Sequence, residues 1–295
     1  MDTTYLIELF EKNKRFHTGS KIQRLTKSPV KLICSKVLQL FAEAFNKPIK
    51  FRAKTFWNDD IAVVIPDIVS LTIYRYTFFE DALTNMILHY LKPGMTFFDI
   101  GAHLVYFTLL GSAIIGNSGQ VHSFEPTTST FEILKSNVSK KQNVFLNNCA
   151  VLSRRKIVFI NDYGIKYCAF NSIYNARLPK NILTKLKVKK YKVESISIDD
   201  YVEKNGVIPD FIKIDAENSE YEILLGMEKT IHKFHPIISI EIGDINVNGT
   251  LESRDLINFL TNKGYKPHEF RDQKILPHSF RDEKYQPSPT FTSSK

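Results

Sequence analysis

Apolar residues follow two different spacings along the 295 residues, and the change between them predicts how the chain is organised. Before residue 50 the spacing is helical, and it passes through Val30, Ile33, Val37, Leu38, Leu40 and Phe41. Residues 77–90 return to the same helical spacing. We therefore predict a helical N-terminal extension over residues 1–60 and a main domain over residues 61–275.

From residue 96 onward, short apolar runs alternate with amphipathic segments. The runs predict strands at 96–100, 120–124, 144–151, 210–215 and 236–241. The segments predict helices at 105–115, 130–138, 220–229 and 253–263, and residues 156–193 predict a β-hairpin or an irregular insert. This alternation is typical of an α/β fold, a doubly wound, Rossmann-like parallel sheet with helices on both faces. Residues 276–295 are polar and broken by prolines, so we predict a disordered tail.

The net charge of +9 is concentrated in two basic runs. Residues 12–36 contain eight Lys or Arg and no acid, and residues 180–192 contain six Lys and no acid. The first run adjoins an amphipathic segment, and such a run can contact an anionic membrane or an acidic glycan at its periphery. A solvated basic face is the alternative. No nucleic-acid-binding motif accompanies the charge, so we expect no nucleic-acid partner.

The number of cysteines and the length of the apolar runs restrict the expected cellular location. Cys34, Cys149 and Cys168 are odd in number and lack metal-ligand spacing, so neither a disulfide framework nor a metal site is predicted. No apolar run reaches the roughly 18 residues of a membrane-spanning helix. We therefore expect a cytoplasmic protein, with membrane contact limited to its periphery.

Acidic residues stand at three of the predicted strand ends. Asp99 ends the first strand, Glu125 follows the second, and Asp215 and Glu217 follow the fourth. In a doubly wound sheet, ligands bind outside the carboxyl ends of the strands. Gly101 allows a close approach of backbone to a ligand, and an acid about twenty residues later, here Glu125, can accept both hydroxyls of a ribose. Together these features indicate a nucleoside-containing cofactor.

The residues after Gly101 distinguish between two such cofactors. A dinucleotide needs the G-x-G-x-x-G run that brings backbone amides to its pyrophosphate, and this chain lacks that run. S-adenosylmethionine has no phosphate, and its ribose and amino group suit carboxylates at strand ends. We therefore favour a methyl donor over a nicotinamide dinucleotide. In a further alternative, the acids only cap helices or face solvent.

Six motifs between about residues 80 and 265 make the interpretation more specific. They are PGMTFFDIGA at 93–102, YFTLL at 106–110, GQVHSFEP at 119–126, SIDDY at 197–201, PDFIKIDAE at 209–217 and PIISIE at 236–241. In this order they resemble the FkbM-type methyltransferases. The resemblance implies a class I methyltransferase sheet, S-adenosylmethionine as cofactor, and O-methylation of a hydroxyl on a sugar, glycan or secondary metabolite.

The resemblance also implies roles for individual residues. Cofactor-binding residues would be Asp99, Gly101 and Ala102 at the methionine part, Glu125 at the ribose, and His103 within the same motif. Asp215 and Glu217 would lie near the methyl group. Because a hydroxyl acceptor benefits from a general base, the candidate catalytic residues are Asp215, Glu217 and Glu241, the carboxylates at the strand ends.

Three positions depart from the family's pattern. His103 stands where the family has Asn, and Val105 and Asn218 stand where it has Gly. Asn tolerates a left-handed backbone, so Asn218 is expected to preserve its turn. Val105 is expected to crowd the donor and weaken its binding. The alternative function is therefore a methyltransferase fold with weakened catalysis that serves as a binding or regulatory module.

Overall fold

A central β-sheet with helices on both faces forms the body of the protein. The computed structural model describes residues 2–17, 20, 28–174, 176–244, 251–271, 274–281, 284–285 and 288–294. The strands are β1 (Ile49–Lys54), β2 (Asp60–Ile65), β3 (Thr96–Ile100), β4 (Gln120–Phe124), β5 (Val144–Asn147), β6 (Ala150–Val151), β7 (Lys156–Asp162), β8 (Lys189–Ile196), β9 (Phe211–Ile214), β10 (Ile237–Ile242), β11 (Lys266–Arg271), β12 (Lys274–Pro277) and β13 (Ser288–Ser294). The α-helices are α1 (Thr3–His17), α2 (Pro29–Ala44), α3 (Ile68–Tyr76), α4 (Asp81–Tyr90), α5 (Tyr106–Ile115), α6 (Thr128–Val138), α7 (Lys180–Leu183), α8 (Ile198–Asn205), α9 (Glu220–Leu225), α10 (Glu228–Phe234) and α11 (Ser253–Asn262).

The order of the strands creates a crevice in the middle of the main sheet. Within the described residues that sheet runs β12-β11-β13-β10-β9-β3-β4-β5, and the five strands from β10 to β5 are parallel. The chain moves outward from β3 to β4 and β5, and then returns to β9 on the other side of β3. Strand order therefore reverses between β3 and β9, which is where doubly wound sheets bind ligands. The predicted fold class is confirmed.

Alternation along the strands separates the interior into two cores. Phe97 and Phe211 face one side of the sheet and pack with Leu110 of α5. Their neighbours Phe98 and Ile212 face the opposite side, where helices α8 to α11 cover them. Because successive strand residues point to opposite faces, strands buried on both sides are continuously apolar. This explains why the sequence shows apolar runs rather than alternation there.

Two predicted elements are each divided in the structure. The strand expected at 144–151 is two strands, because β5 pairs with β4 in the main sheet whereas β6 pairs with β8 in a separate three-stranded sheet. The helix expected at 220–229 is α9 followed by α10. Gly226 lies at this break, and a Cβ there would stand 2.2 Å from the carbonyl oxygen of Leu152. The close contact with a neighbouring loop requires glycine at the break.

The tail differs from the disorder that its polarity predicts. Residues of β13 pair antiparallel with both β10 and β11 and so become an inner strand of the main sheet. Without β13, the edge of β10 would expose unpaired N–H and C=O groups. Backbone pairing of this kind does not require an apolar sequence, which is why composition alone misses it.

The N-terminal region contributes to the main core. Leu6 and Phe10 of α1 are fully buried in the same core as Phe97 and Leu110. Helix α2 follows the predicted periodicity, but most of its apolar side chains are exposed. Part of the basic run, residues 18–19 and 21–27, lies outside the described residues. Within the part of the chain that the structure describes, every helix is too short or too polar to cross a membrane.

Candidate functional site

A cavity of about 290 Å³ opens at the carboxyl ends of the central strands, where their order reverses. Its walls carry seven of the eight residues that the sequence singled out: Gly101, Ala102, His103, Glu125, Asp215, Glu217 and Glu241. The eighth, Asp99, is fully buried at the end of β3. The residues predicted from separate motifs are therefore brought together around one cavity.

The turn between β3 and α5 forms one wall of the cavity. Gly101 has a φ of 76°, and a Cβ at this position would lie 1.8 Å from the carbonyl oxygen of Asp215. Only glycine permits both this angle and this close approach of two strand ends. His103 continues the turn with a φ of 50°. The glycine that the sequence assigned to the cofactor thus also holds β3 against β9.

A buried ion pair underlies this turn. Lys213, in the middle of β9, places its Nζ 3.1 Å from Asp99 Oδ1 and 3.5 Å from Asp215 Oδ2, and it donates to the Gly101 carbonyl at 3.0 Å. Burial alone would lower the pKa of Lys213, but the Asp99 and Asp215 carboxylates outweigh it and raise the pKa. Asp99 also accepts a hydrogen bond from Thr108 Oγ1 at 2.7 Å. Asp99 therefore positions Lys213, and through the lysine's hydrogen bond to Gly101 it also positions the turn.

Glu125 faces the cavity from the end of β4. The backbone N–H groups of His103 and Thr127 donate to its two carboxylate oxygens at 3.0 and 2.9 Å. The Thr127 side chain also hydrogen-bonds to the carboxylate, and a carboxylate oxygen can accept more than one hydrogen bond. Burial raises the pKa of Glu125 to about 7, although the two backbone hydrogen bonds oppose the shift. The carboxylate is fixed in position at the wall of the cavity.

Three carboxylates meet on the opposite wall. Oxygen atoms of Asp215, Glu217 and Glu241 all lie within 4.8 Å of one another. Burial raises the pKa of Glu217 to about 8, with further contributions from the Asp215 and Glu220 charges, while Arg177 opposes the shift. Burial, followed by the Asp215 and Glu217 charges, also raises the pKa of Glu241 well above its usual range. Glu217 Oε2 is buried and has no hydrogen-bond partner among the described residues. This wall can accept a proton or bind a cation.

Arg177 partly neutralises this wall. Its guanidinium lies 2.6 Å from Glu241 Oε2 and 3.3 Å from Glu220 Oε1, and its Nε donates to Asn218 Oδ1 at 3.0 Å. Asn218 has a φ of 73°, so the expectation that it preserves the left-handed turn is confirmed. The arginine comes from the insert between β7 and β8, and it fixes the ends of β9 and β10 relative to each other.

Sequence reasoning missed Arg177 and Glu80. Glu80 lines the cavity, and burial together with the Asp215 charge raises its pKa to about 8. Both residues lie outside the strand ends and have no motif spacing. Lys213 gave a usable signal, because a lysine within an apolar strand needs a buried partner.

The His103 side chain approaches two residues from elsewhere in the chain. Its Nε2 lies 3.1 Å from Cys168 Sγ and 4.0 Å from Asp67 Oδ1. These three side chains, like the three carboxylates of Asp215, Glu217 and Glu241, are close enough to share a metal ion.

Comparisons with known proteins give a family match and several similar solved structures. The profile of the methyltransferase FkbM domain matches residues 99–267, more than half of the chain. Among solved structures, the chain is similar to the methyltransferase FkbM from Methylobacillus flagellatus KT, with 13% identity over 76% of this chain and 54% of that chain and a TM-score of 0.42. The chain thus spans about half the length of that protein.

Two further solved structures show a comparable level of similarity. The fibrillarin from Aeropyrum pernix, solved with bound S-adenosyl-L-methionine, is 13% identical over 69% of this chain and 68% of that chain, with a TM-score of 0.39. A SAM-dependent O-methyltransferase from Thermotoga maritima is 11% identical over 85% of this chain and 80% of that chain, with a TM-score of 0.38. The comparison with curated proteins gives no significant match.

Proposed function

Because the chain belongs to the FkbM methyltransferase family, we propose that it transfers a methyl group to a hydroxyl of a sugar, glycan or secondary metabolite. Family membership confirms the resemblance predicted from the motifs, and it supports the methyltransferase class and S-adenosylmethionine as the cofactor. The oxygen acceptor, the chemical class of the acceptor and the roles of individual residues belong to the proposal.

The charge of the cavity supports binding of this cofactor. Carboxyl groups of Glu80, Glu125, Asp215, Glu217 and Glu241 line it, and the buried cations Lys213 and Arg177 pair with Asp215 and Glu241. A ligand that carries a sulfonium and an ammonium group would stabilise the ionised forms of the remaining acids, whose pKa values burial raises. Glu125 would hold the ribose hydroxyls, and the turn at 101–103 would lie along the methionine part. The residues present therefore fit the cofactor.

The carboxylate wall carries the proposal that the acceptor is a hydroxyl. The sulfonium of the cofactor supplies a methyl group that is already activated for displacement. The chain's own contribution is to align the acceptor and to remove its proton. Glu217, with a pKa raised to about 8 and one buried oxygen that lacks a partner among the described residues, is the best placed base. Asp215 and Glu241 would orient the hydroxyl.

Methyl transfer can be tested directly with a methyl-deuterated donor. The full chain is incubated with this donor and a panel of hydroxylated sugars, glycans and phenols, and products are identified by mass spectrometry and NMR. We expect the label in a methyl ether. Glu217→Gln is expected to retain donor binding but lose at least about 100-fold in turnover, whereas the exposed control Glu203→Gln stays at the wild-type rate.

Two results would contradict the proposal in different ways. Label on nitrogen or sulfur would overturn the hydroxyl acceptor but leave the donor site intact. Calorimetry that detects no donor binding would favour the alternative, a methyltransferase fold that serves as a binding or regulatory module. Val105 stands where the family has Gly and has a φ of 132°, and this is the observation in favour of the alternative.

We also propose that helix α2 attaches the protein to anionic membranes. Its exposed apolar side chains recur at helical spacing and form a stripe of Val30, Ile33, Val37, Leu40 and Phe41, from 54% to 71% exposed. Exposed Lys31 and Lys36 lie on the same helix. An apolar stripe beside cations is the pattern of helices that lie in the plane of a lipid surface.

Vesicle sedimentation distinguishes this attachment from a merely solvated helix. The full chain is expected to sediment with vesicles of phosphatidylcholine and phosphatidylglycerol at low salt, and much less with pure phosphatidylcholine. Val37→Asp should reduce binding, whereas Val188→Asp, an exposed valine far from α2 in the chain, should not. Equal sedimentation with neutral and anionic vesicles would rule the attachment out.

A further inference from the structure

Three side chains of different chemistry converge at one end of the cavity. Asp67 lies at the N-cap of α3, His103 in the turn after β3, and Cys168 in the short 3₁₀ segment Ile165–Phe170. Asp67 Oδ1 lies 3.6 Å from Cys168 Sγ and 4.0 Å from His103 Nε2, and Nε2 lies 3.1 Å from Sγ. No motif or spacing along the chain indicates this cluster, because its members are 36 and 65 residues apart.

The three atoms are spaced for a transition-metal ion. The circle through points separated by 3.1, 3.6 and 4.0 Å has a radius of about 2.1 Å. Bonds from zinc to imidazole nitrogen and carboxylate oxygen are about 2.0–2.2 Å, and those to thiolate sulfur about 2.3 Å. An ion at or slightly above the centre of this triangle would reach all three ligands with shifts of only tenths of an ångström. We propose that Asp67, His103 and Cys168 bind a divalent transition-metal ion such as Zn²⁺.

The ligand set selects the class of metal. A thiolate and an imidazole favour zinc and its neighbours, whereas Mg²⁺ and Ca²⁺ prefer sites made of oxygen ligands alone. With a neutral imidazole, a thiolate and a carboxylate, the complex with a divalent ion carries no net charge. A neutral complex suits this location, because Asp67 is fully buried and Cys168 is 5% exposed.

The surroundings provide the support that such a site needs. The Ser70 backbone N–H donates to Asp67 Oδ2 at 2.6 Å, which fixes the carboxylate and leaves Oδ1 directed at the cluster. Hydrogen bonds to the non-coordinating atom of a ligand orient it in known metal sites. His103 and Cys168 also line the cavity, so a fourth coordination position faces the space where small molecules enter.

The metal site does not depend on methyl transfer. It uses His103, which stands where the FkbM family has asparagine, together with two residues outside the family motifs. An ion there would connect the start of α3, the turn after β3 and the 3₁₀ segment beside the cavity. The site would persist in a chain that had lost its transferase activity, and an active transferase could lack it.

Metal binding is measured on the full chain without a histidine tag, after treatment with a chelator. Zn²⁺ is titrated in competition with a chromophoric chelator, and Co²⁺ is followed by its absorption spectrum. We expect one ion per chain with a Kd below about 1 µM, and a thiolate-to-cobalt charge-transfer band in the near ultraviolet. His103→Asn and Cys168→Ser are each expected to weaken binding at least about 100-fold.

Cys149→Ser is the matched control, because Cys149 also lines the cavity but lies outside the cluster. It should leave both the stoichiometry and the cobalt spectrum unchanged. Should Cys168→Ser fail to fold, the wild-type cobalt band and the His103→Asn variant still decide the question. A wild-type chain without the band would overturn the site. So would zinc binding that survives both ligand variants, since the ion would then be held elsewhere, for example by surface histidines.

Discussion

Val105 holds a backbone conformation that β-branched residues rarely adopt. Its φ is 132° and its ψ −12°, at the residue just before α5, and its side chain is fully buried. Val105 therefore does not have the helical backbone in which a valine would affect the site only through the size of its side chain. The chain has kept the backbone of a glycine while carrying a valine, and strain of this kind costs about 1–3 kcal/mol.

Replacing Val105 by Gly and by Ala is expected to reverse the usual order of stability. Both variants lose the buried isopropyl group, but only glycine relieves the positive φ. We expect the free energy of unfolding of Val105→Gly to exceed that of Val105→Ala by about 1 kcal/mol, although glycine is ordinarily the less stable of the two near a helix. Urea denaturation at equilibrium measures the difference.

Donor affinity of the same two variants distinguishes crowding from backbone strain. If the side chain crowds the cofactor, calorimetry should show tighter donor binding in both variants, by about 5-fold or more. Tighter donor binding in Val105→Gly but not in Val105→Ala would indicate that backbone strain, rather than crowding by the side chain, weakens binding. An alanine variant that is at least as stable as the glycine variant would contradict the strain.

The carboxylate of Glu125 is predicted to contribute about 100-fold to donor affinity, through two charge-assisted hydrogen bonds to the ribose. Glu125→Ala removes both of them. Glu125→Gln is also expected to lower donor affinity, because an amide nitrogen would face one of the two backbone N–H groups that now donate to the carboxylate. Calorimetric titration with the donor measures both effects, and Glu132→Gln, on the exposed side of α6, is the control. An unchanged affinity in Glu125→Ala would disprove the role.

At the scale of elements, the insert between β7 and β8 is fixed to the main sheet by Arg177. The side chains of Arg177 and Glu220 are 4% and 3% exposed, so neither charge can be left without a partner at low cost. Asn218, Glu220 and Glu241 belong to three different segments, and the arginine contacts all of them. The insert therefore helps to shape the carboxylate wall.

Arg177→Ala is expected to lower the free energy of unfolding by about 3–5 kcal/mol, because it leaves buried carboxylates unpaired. Arg177→Lys keeps the charge but not the planar fork, so we expect a smaller loss. The control is Arg155→Ala, immediately before β7, where a largely exposed pair with Glu194 should contribute less than about 1 kcal/mol. Denaturant melts of the three variants provide the comparison, and equal losses in Arg177→Ala and Arg155→Ala would contradict the anchoring role.

Sequence periodicity predicted most elements because local pattern and tertiary environment agree in them. Strands β3 and β4 occupy the residues that their apolar runs indicate. The disagreements arise where a distant partner decides the structure. The Leu152 carbonyl divides α9 from α10 at Gly226, and β13 becomes a strand by pairing with β10. No local pattern records either contact.

At the scale of the whole molecule, the topology gathers the site from distant parts of the chain. The sequence located the acids that stand at strand ends, because parallel strands bring their carboxyl ends to one edge. It could not locate Glu80 and Cys168, which line the cavity, or Arg177 and Asp67, which contact residues of its walls, because these residues come from loops and helix ends with no fixed spacing. The cofactor side was therefore more predictable than the insert between β7 and β8, which carries both Arg177 and Cys168.

The concentration of buried acids makes the stability of the whole protein depend on pH. Burial raises the pKa of Glu80 and Glu217 to about 8 and that of Glu125 to about 7. In the unfolded chain these groups have ordinary values near 4.5. The folded state therefore binds more protons than the unfolded state above pH 4.5, and its stability falls as pH rises through the folded pKa values. His122, whose pKa burial lowers to about 4, acts in the opposite direction but only below about pH 7.

Between about pH 7 and 8.5, the free energy of unfolding of the donor-free protein should thus fall by about 1–3 kcal/mol. Urea melts across this range measure the slope. Glu217→Gln removes one of the titrating groups and is expected to flatten the slope by about 1 kcal/mol, whereas Glu203→Gln, on an exposed helix face, should leave it unchanged. Saturating S-adenosylmethionine should also flatten it, because a cation among the carboxylates stabilises their charged forms. Stability that rises over this range would contradict the raised pKa values of these buried acids.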